Sequence, residues 1–360
     1  MENNDVLIRR SGRLGHLVLN RPQAMNALNH GMIVAVAAAL REWEHDDGVS
    51  TVLISGAGER GLCAGGDIVS IYADAKSGGN QSAGFWRDEY LLNAQIKRYP
   101  KPIVTLMDGV VLGGGVGISA HASVRVVTER SRVGMPETGI GFVPDVGGTY
   151  LLSRGPGELG THAALTAGMV NGADAIAMGL ADHFVDSADL PALVAELAVR
   201  EATAAVARYG QVAPDSPLAA ERGWIDGAYA GDDAGTILGR LDVVGLPAAS
   251  KAAATIRAKS PTAVTVTLAA LRHARALDTL EEVLNQEFRV SLRALHWPDF
   301  VEGIRAQLVD KDRNPRWEPA ALADVPAAVV DAAFANLGPD ELGLTHEPKN
   351  STLSEAEAAS

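Results

Sequence analysis

Two stretches of this sequence follow one plan, and that plan restricts the fold more than any other feature. Thr51–Gly56 and residues 102–107 are apolar runs of strand length, and each leads through a glycine-rich turn into helical periodicity. Buried strands alternating with helices need cover on both faces, so the pattern indicates an α/β architecture. Further strands are expected at 15–20, before the breaker Arg21-Pro22, and at 124–128. Helices are expected along the stripe from Met32 to Trp43, from Ile68 with Asp67 as its N-cap, and over 84–98. Beyond Gly155 the pattern turns helical, with a helix within 173–185 that ends in Gly179-Leu180-Ala181-Asp182, and two long helices over 262–277 and 280–295. Residues 209–250, broken by Gly, Pro and Asp, are expected to link or insert a small helical piece.

Composition matters here for what it excludes. The 360 residues, 47% hydrophobic and 21% charged, are those of a globular chain of one large or two modest domains. No apolar stretch approaches the ~18 residues of a membrane helix, and MENNDVLIRR lacks a signal-peptide core. Cys63, the single cysteine, rules out an internal disulfide or a cysteine-based zinc site, and a cytoplasmic location is expected. A net charge of -13 argues against broad nucleic-acid binding, and the nine histidines form no metal-binding spacing, so no metal is expected.

The chemistry is concentrated in three segments. The turns 63–67 and 112–117 each sit between a strand and a helix, where unpaired backbone N–H groups bind an anion or a developing oxyanion. Residues 115–120 also match a dinucleotide-binding pattern, yet the stretch from Gly113 to the next strand is too short for the ~10–12 residue crossover that fold requires. The third segment, 135–148, holds Glu137 and Asp145 in apolar, Gly/Pro-shaped surroundings without a basic residue. Paired carboxylates in such surroundings have their proton affinities pushed apart, and one then serves as base or nucleophile and the other as acid. A serine elbow at 117–121 is spoiled by His121, and Cys63 reads as inert packing.

These residues, with Asn20-Arg21-Pro22, Met25-Asn26-Ala27-Leu28 and Ala177-Met178-Gly179-Leu180-Ala181-Asp182, resemble the crotonase (enoyl-CoA hydratase/isomerase) superfamily. Residues 85–93, 144–148, 260–262 and 310–317 resemble its 3-hydroxyisobutyryl-CoA hydrolase branch. The resemblance implies a ββα spiral of two stacked sheets over residues 1–205 and a helical region over 206–335 closing a CoA site, while the polar, small-residue-rich end makes a disordered tail the expectation for 336–360. It implies an oxyanion hole from the N–H groups of Ala64 and Gly114, catalytic carboxylates Glu137 and Asp145, and Glu89 at the acyl end. Gly65, Gly66, Asp67 and Gly113 would line the substrate, and Lys311, Arg313, Arg316 or Arg21 could meet CoA phosphates.

Hydratases of this family carry a second catalytic glutamate two residues after the three-glycine run, where this chain has Gly117. Asp145 stands where they have glycine, and the exchange favours hydrolysis of a short 3-hydroxyacyl-CoA thioester. Hydration or isomerisation through Glu137 alone is the alternative, and a non-catalytic acyl-CoA-binding relative is a third reading. No cofactor is expected beyond the coenzyme A of the substrate, and no partner beyond a possible second copy of the chain.

Overall fold

The computed structural model describes residues 4–345. Its strands are β1 (Val6–Ser11), β2 (Leu14–Leu19), β3 (Thr51–Gly56), β4 (Ile103–Met107), β5 (Val110–Leu112), β6 (Val124–Val127), β7 (Arg132–Gly134), β8 (Met169–Val170) and β9 (His183–Phe184). The larger sheet has the order β1-β2-β3-β4-β6-β9, with only β1 and β2 antiparallel, and the smaller has the order β5-β7-β8. Asp108 and Gly109 alone separate β4 from β5, yet the two strands lie in different sheets. The chain turns that corner, forms a short helix and returns to the larger sheet at β6. Bridges Gly61 to Gly109 and Cys63 to Val111 bring the segment after β3 onto the small sheet in the same way. Strand, strand, helix repeated in this manner is the expected crotonase-like spiral.

The strands read as continuous apolar runs because both faces of the larger sheet are covered. Val52, Ile54, Ile103 and Met107 enter the main core, while Leu53, Val104, Leu106 and Val126 point the other way. The second face packs on Leu193, Leu197, Ala205 and Val206 from the helices Leu190–Leu197 and Ala202–Tyr209. Each such fully buried aliphatic side chain contributes about 1.5–3 kcal/mol relative to exposure.

Several differences from expectation have local causes. Strand β1 is an edge whose Ile8, Arg9 and Arg10 are exposed, so it carries no buried-face pattern. The helix expected from 84 begins at Gln81, because the Asp74 carboxylate accepts the N–H and hydroxyl of Ser82 at 2.7 Å each. The helix within 173–185 runs over Gly172–Ala177 and ends at the expected turn, where Gly179 has φ +77°, while β9 follows as a two-residue strand too short to show alternation. Residues 209–250 form helices whose Ile225, Ile237 and Leu241 are part of the main core. The boundary drawn at 205/206 falls inside the helix Ala202–Tyr209.

The tail expected from 336 needs correction as far as Thr345. Leu342 is buried, Arg87 donates to the carbonyls of Asp340 and Leu342, and Arg289 pairs with Glu341 at 2.8 Å. Isolated charged and polar grips of this kind leave no periodic signature. The remainder of that tail lies outside the described residues. Among the described residues no helix is long and apolar enough to cross a membrane.

Candidate active site

The helices around the site are α1 (His30–Glu44), α2 (Ile68–Ser77), α3 (Gln81–Arg98), α4 (Gly114–Ala120) and α5 (Gly148–Ser153). The turn 63–67 joins the end of the β3 loop to α2, and Gly113 joins β5 to α4. Arg21 frames the first turn, its guanidinium donating to Ala27 O at 2.6 Å and to Asp67 Oδ2 at 3.1 Å. Asp67 does stand at the N-cap of α2, but its side chain makes no cap bond because Arg21 holds it. The same contacts leave Arg21 engaged in the turn itself.

The donor expected at Ala64 is corrected by the backbone. Ala64 N–H donates to Met25 O at 3.0 Å, and Gly65 N–H faces Cys63 Sγ at 3.4 Å. Gly66 N–H has no backbone acceptor among the described residues, nor does Gly114 N–H at the first position of α4. Gly66 N lies 3.4 Å from the point a Cβ on Gly114 would occupy, so the two free donors are neighbours. Gly113, at φ +49° and ψ -118°, adopts a conformation unsuited to other residues, and a Cβ there would lie 2.8 Å from Glu137 Oε1.

Three carboxylates converge on this bare glycine surface. Glu89 comes from α3, and its Oε1 lies 2.6 Å from the Cβ position of Gly114. Glu137 opens a 3₁₀ turn, Glu137–Ile140, directly after β7. Asp145 precedes α5 and accepts the Tyr90 hydroxyl at 2.8 Å, while Tyr90 and Ser291 share a second bond of 2.7 Å. All three are buried, and Glu89 Oε1 and Glu137 Oε2 have no hydrogen-bond partner among the described residues. Burial, reinforced by the Asp145 charge, pushes Glu89 and Glu137 well above the usual carboxylate range. Burial also pushes Asp145 up to about 7, although the Tyr90 hydroxyl holds it back. The cluster therefore binds protons more tightly than exposed carboxylates do.

The loop bearing Asp145 is braced by residues that sequence reasoning missed. Glu287, on the helix Leu280–Ala294, accepts Gly147 N–H at 2.6 Å, Thr149 N–H at 2.9 Å and the Thr149 hydroxyl at 2.5 Å. Its burial pushes it up to about 8. His121 Nε2 lies 2.8 Å from Val146 O and burial lowers the ring to about 4, so it is neutral and donates there. Val146 itself sits at φ +54°, a strained conformation for a β-branched residue. A sequence signal did exist for Glu287: it is an acid on the stripe formed by Leu280, Leu284, Phe288 and Ser291.

Other nucleophiles are disposed of by their surroundings. Cys63 is buried and its thiol is pushed up to about 12. The Ser119 hydroxyl donates to Gly115 O within its own helix at 2.6 Å. Lys311, Arg313 and Arg316 are exposed, on a segment whose backbone bonds Ala306 O through Arg313 N–H and Glu302 through Arg316 N–H.

A family model described as enoyl-CoA hydratase/isomerase matches residues 14–334. The 3-hydroxyisobutyryl-CoA hydrolase, mitochondrial, of Rattus norvegicus is 39% identical, spanning 95% of this chain and 91% of its own length. Its counterpart in Xenopus tropicalis is 37% identical, spanning 96% and 92%. A solved structure titled carnitinyl-CoA dehydratase from Mycobacterium thermoresistibile superposes with TM-score 0.92 at 53% identity, covering 94% of this chain and 98% of that one. Another, titled enoyl-CoA hydratase from Rhodobacter sphaeroides, gives 0.89 at 41%, covering 94% and 100%.

Proposed function

The chain belongs to the enoyl-CoA hydratase/isomerase family, and on that premise we propose that it hydrolyses a short 3-hydroxyacyl-CoA, 3-hydroxyisobutyryl-CoA first among candidates, to the free hydroxy acid and coenzyme A. The curated relatives are named as hydrolases and the two solved neighbours as a dehydratase and a hydratase, so the site has to decide. The observation that carries the hydrolase reading is Gly117. A Cβ there would lie 2.6 Å from Val146 Cβ and 3.0 Å from Asn93 Nδ2, which leaves no room for the second glutamate on which hydration depends. The residue before Val146 is Asp145, and it supplies a carboxylate in another place.

The thioester oxygen is held by Gly66 and Gly114 N–H, which stabilise the tetrahedral oxyanion by about 3–4 kcal/mol per donor in comparable acyl-transfer sites. Ionised Glu137 supplies the electron pair, either by taking a proton from the water that adds or by adding to the carbonyl carbon itself, in which case loss of the thiolate leaves an acyl–Glu137 anhydride that water then cleaves to the free acid and the carboxylate. As the intermediate collapses the C–S bond breaks, and Asp145, poised about pH 7, delivers a proton to the departing thiolate. Glu89 orients the acyl group, with Gly65 and Gly113 letting it approach the backbone. The phosphates of CoA meet Lys311, Arg313 and Arg316 on the exposed segment. Coenzyme A enters as part of the substrate, and we assign no resident cofactor. The product is that of valine breakdown, and we place the reaction in the cytoplasm although the curated relatives are named mitochondrial. Cell fractionation tests that placement, and light scattering tests for self-association.

The decisive assay offers the purified protein 3-hydroxyisobutyryl-CoA, 3-hydroxypropionyl-CoA and crotonyl-CoA, following free thiol and enoyl absorbance in parallel. Thiol release from the hydroxyacyl esters with unchanged crotonyl absorbance is expected. Absorbance loss without thiol would replace this reading with a hydratase working through Glu137 alone. Neither signal would leave an acyl-CoA-binding protein without catalysis.

A further inference from the structure

Helix α3 presents Glu89, Tyr90 and Asn93 inward, and two of these have been accounted for. Asn93 has not. Its side chain is fully buried, and neither Oδ1 nor Nδ2 has a hydrogen-bond partner among the described residues. Leaving both ends of a buried amide unsatisfied costs free energy that evolution rarely leaves uncompensated. The amide sits beside the glycine surface, with Nδ2 3.0 Å from the Cβ position of Gly117.

We propose that Asn93 recognises the 3-hydroxyl group of the substrate, donating to it through Nδ2 and accepting from it through Oδ1. The assignment rests on the hydrolase reading above. Two helices run in step past the acyl group: Glu89 faces Gly114 on α4, and Asn93, one turn on, faces Gly117, one turn further along α4. Three residues of helix advance about 4.5 Å, comparable with the span from a thioester carbonyl to a hydroxyl on the third carbon. With the carbonyl oxygen at Gly114 N–H, the chain meets Glu89 first and reaches Asn93 at that hydroxyl. An amide suits the partner, because a hydroxyl both donates and accepts and a neutral group answers both needs without burying a further charge. Substrates lacking the hydroxyl would leave the amide unpaired, which gives discrimination as well as binding.

The test compares 3-hydroxyisobutyryl-CoA with isobutyryl-CoA, the same thioester without the hydroxyl. It uses wild type, Asn93→Leu and Asn93→Ser, each checked for an intact thermal transition. Isobutyryl-CoA is read as a substrate or, where turnover is too slow, as a competitive inhibitor. Asn93→Leu is expected to lower kcat/KM for the hydroxylated ester roughly 10- to 100-fold and to leave isobutyryl-CoA unchanged or improved. Asn93→Ser, which retains a small donor and acceptor, should recover part of the loss and keeps the question open to test if the leucine variant does not fold. Equal losses on both esters would assign Asn93 to the attacking water or to the scaffold and overturn the proposal, as would no loss on either. A wild type that releases no thiol from the hydroxylated ester refutes the hydrolase reading itself, a separate and recognisable outcome.

Discussion

The two walls of this site treat their polar atoms in opposite ways. The loop around Asp145 is bonded at nearly every point: Tyr90 to the carboxylate, His121 to Val146 O, Glu287 to Gly147 and Thr149. Across from it, Glu89 Oε1, Glu137 Oε2 and both amide atoms of Asn93 have no partner among the described residues. Satisfaction fixes geometry, and dissatisfaction reserves groups for a ligand. The comparison predicts that substitutions on the unpartnered wall strike turnover directly, while those on the braced wall act through proton affinity and stability.

Glu137→Gln is the strongest way to break the comparison. Thiol release should fall by roughly 10³-fold or more, with KM within a few-fold of wild type, because the carboxylate is replaced by a neutral group of the same shape. A variant retaining a tenth of wild-type turnover would move the electron-pair donor elsewhere. Single turnover in ¹⁸O-labelled water sharpens the assignment further, since label appears in Glu137 only if the glutamate itself adds to the carbonyl.

Tyr90→Phe should have an intermediate effect of a different kind. The tyrosine donates to ionised Asp145 and thereby lowers its proton affinity, so losing that bond raises it. The limb of the pH–kcat profile set by Asp145 is expected to move upward from about 7 by up to about one pH unit. A purely structural tyrosine would lower kcat without moving that limb.

The smallest effect is on stability. Asp145 and Glu287 have higher proton affinities folded than unfolded, at about 7 and about 8 against 3.8 and 4.5. Folding therefore takes up protons, and the stability these groups permit is complete below about pH 4 and is lost as pH rises through about 8. The Tm of the wild type should decline over that window, and Asp145→Asn should flatten the decline by roughly a few degrees in a calorimetric pH series. A wild-type Tm that climbs from pH 5 to pH 8 would contradict the burial of charge on which the site is built.

What the sequence made legible follows from how local its signals are. The strands β3 and β4, the glycine turns and the pair Glu137 and Asp145 are written in contiguous residues, and they stand where that reading put them. The first turn is legible as a unit but its donor is not, because only Met25 O, distant in sequence, reveals that Ala64 N–H is already occupied. The Tyr90 bond to Asp145 and the anchoring of 340–345 by Arg87 and Arg289 are long-range pairings that no periodicity encodes, and for Glu287 the helical stripe marks a buried acid without naming the loop it braces. Edge strand β1 escaped for the opposite reason, since an exposed strand imposes no alternation on its residues.

The interlock of Gly117 with Val146 has a consequence for how this chemistry can change. A side chain introduced at 117 collides with a neighbour held in place by His121 and Glu287, while trimming Val146 alone opens a void beside an intact glycine. Each single step is therefore costly and only their combination is tolerable, a strongly non-additive pair. A carboxylate at 117 is thus admitted on this scaffold only together with a change at 146, which couples the position that separates the two chemistries to the loop that carries Asp145.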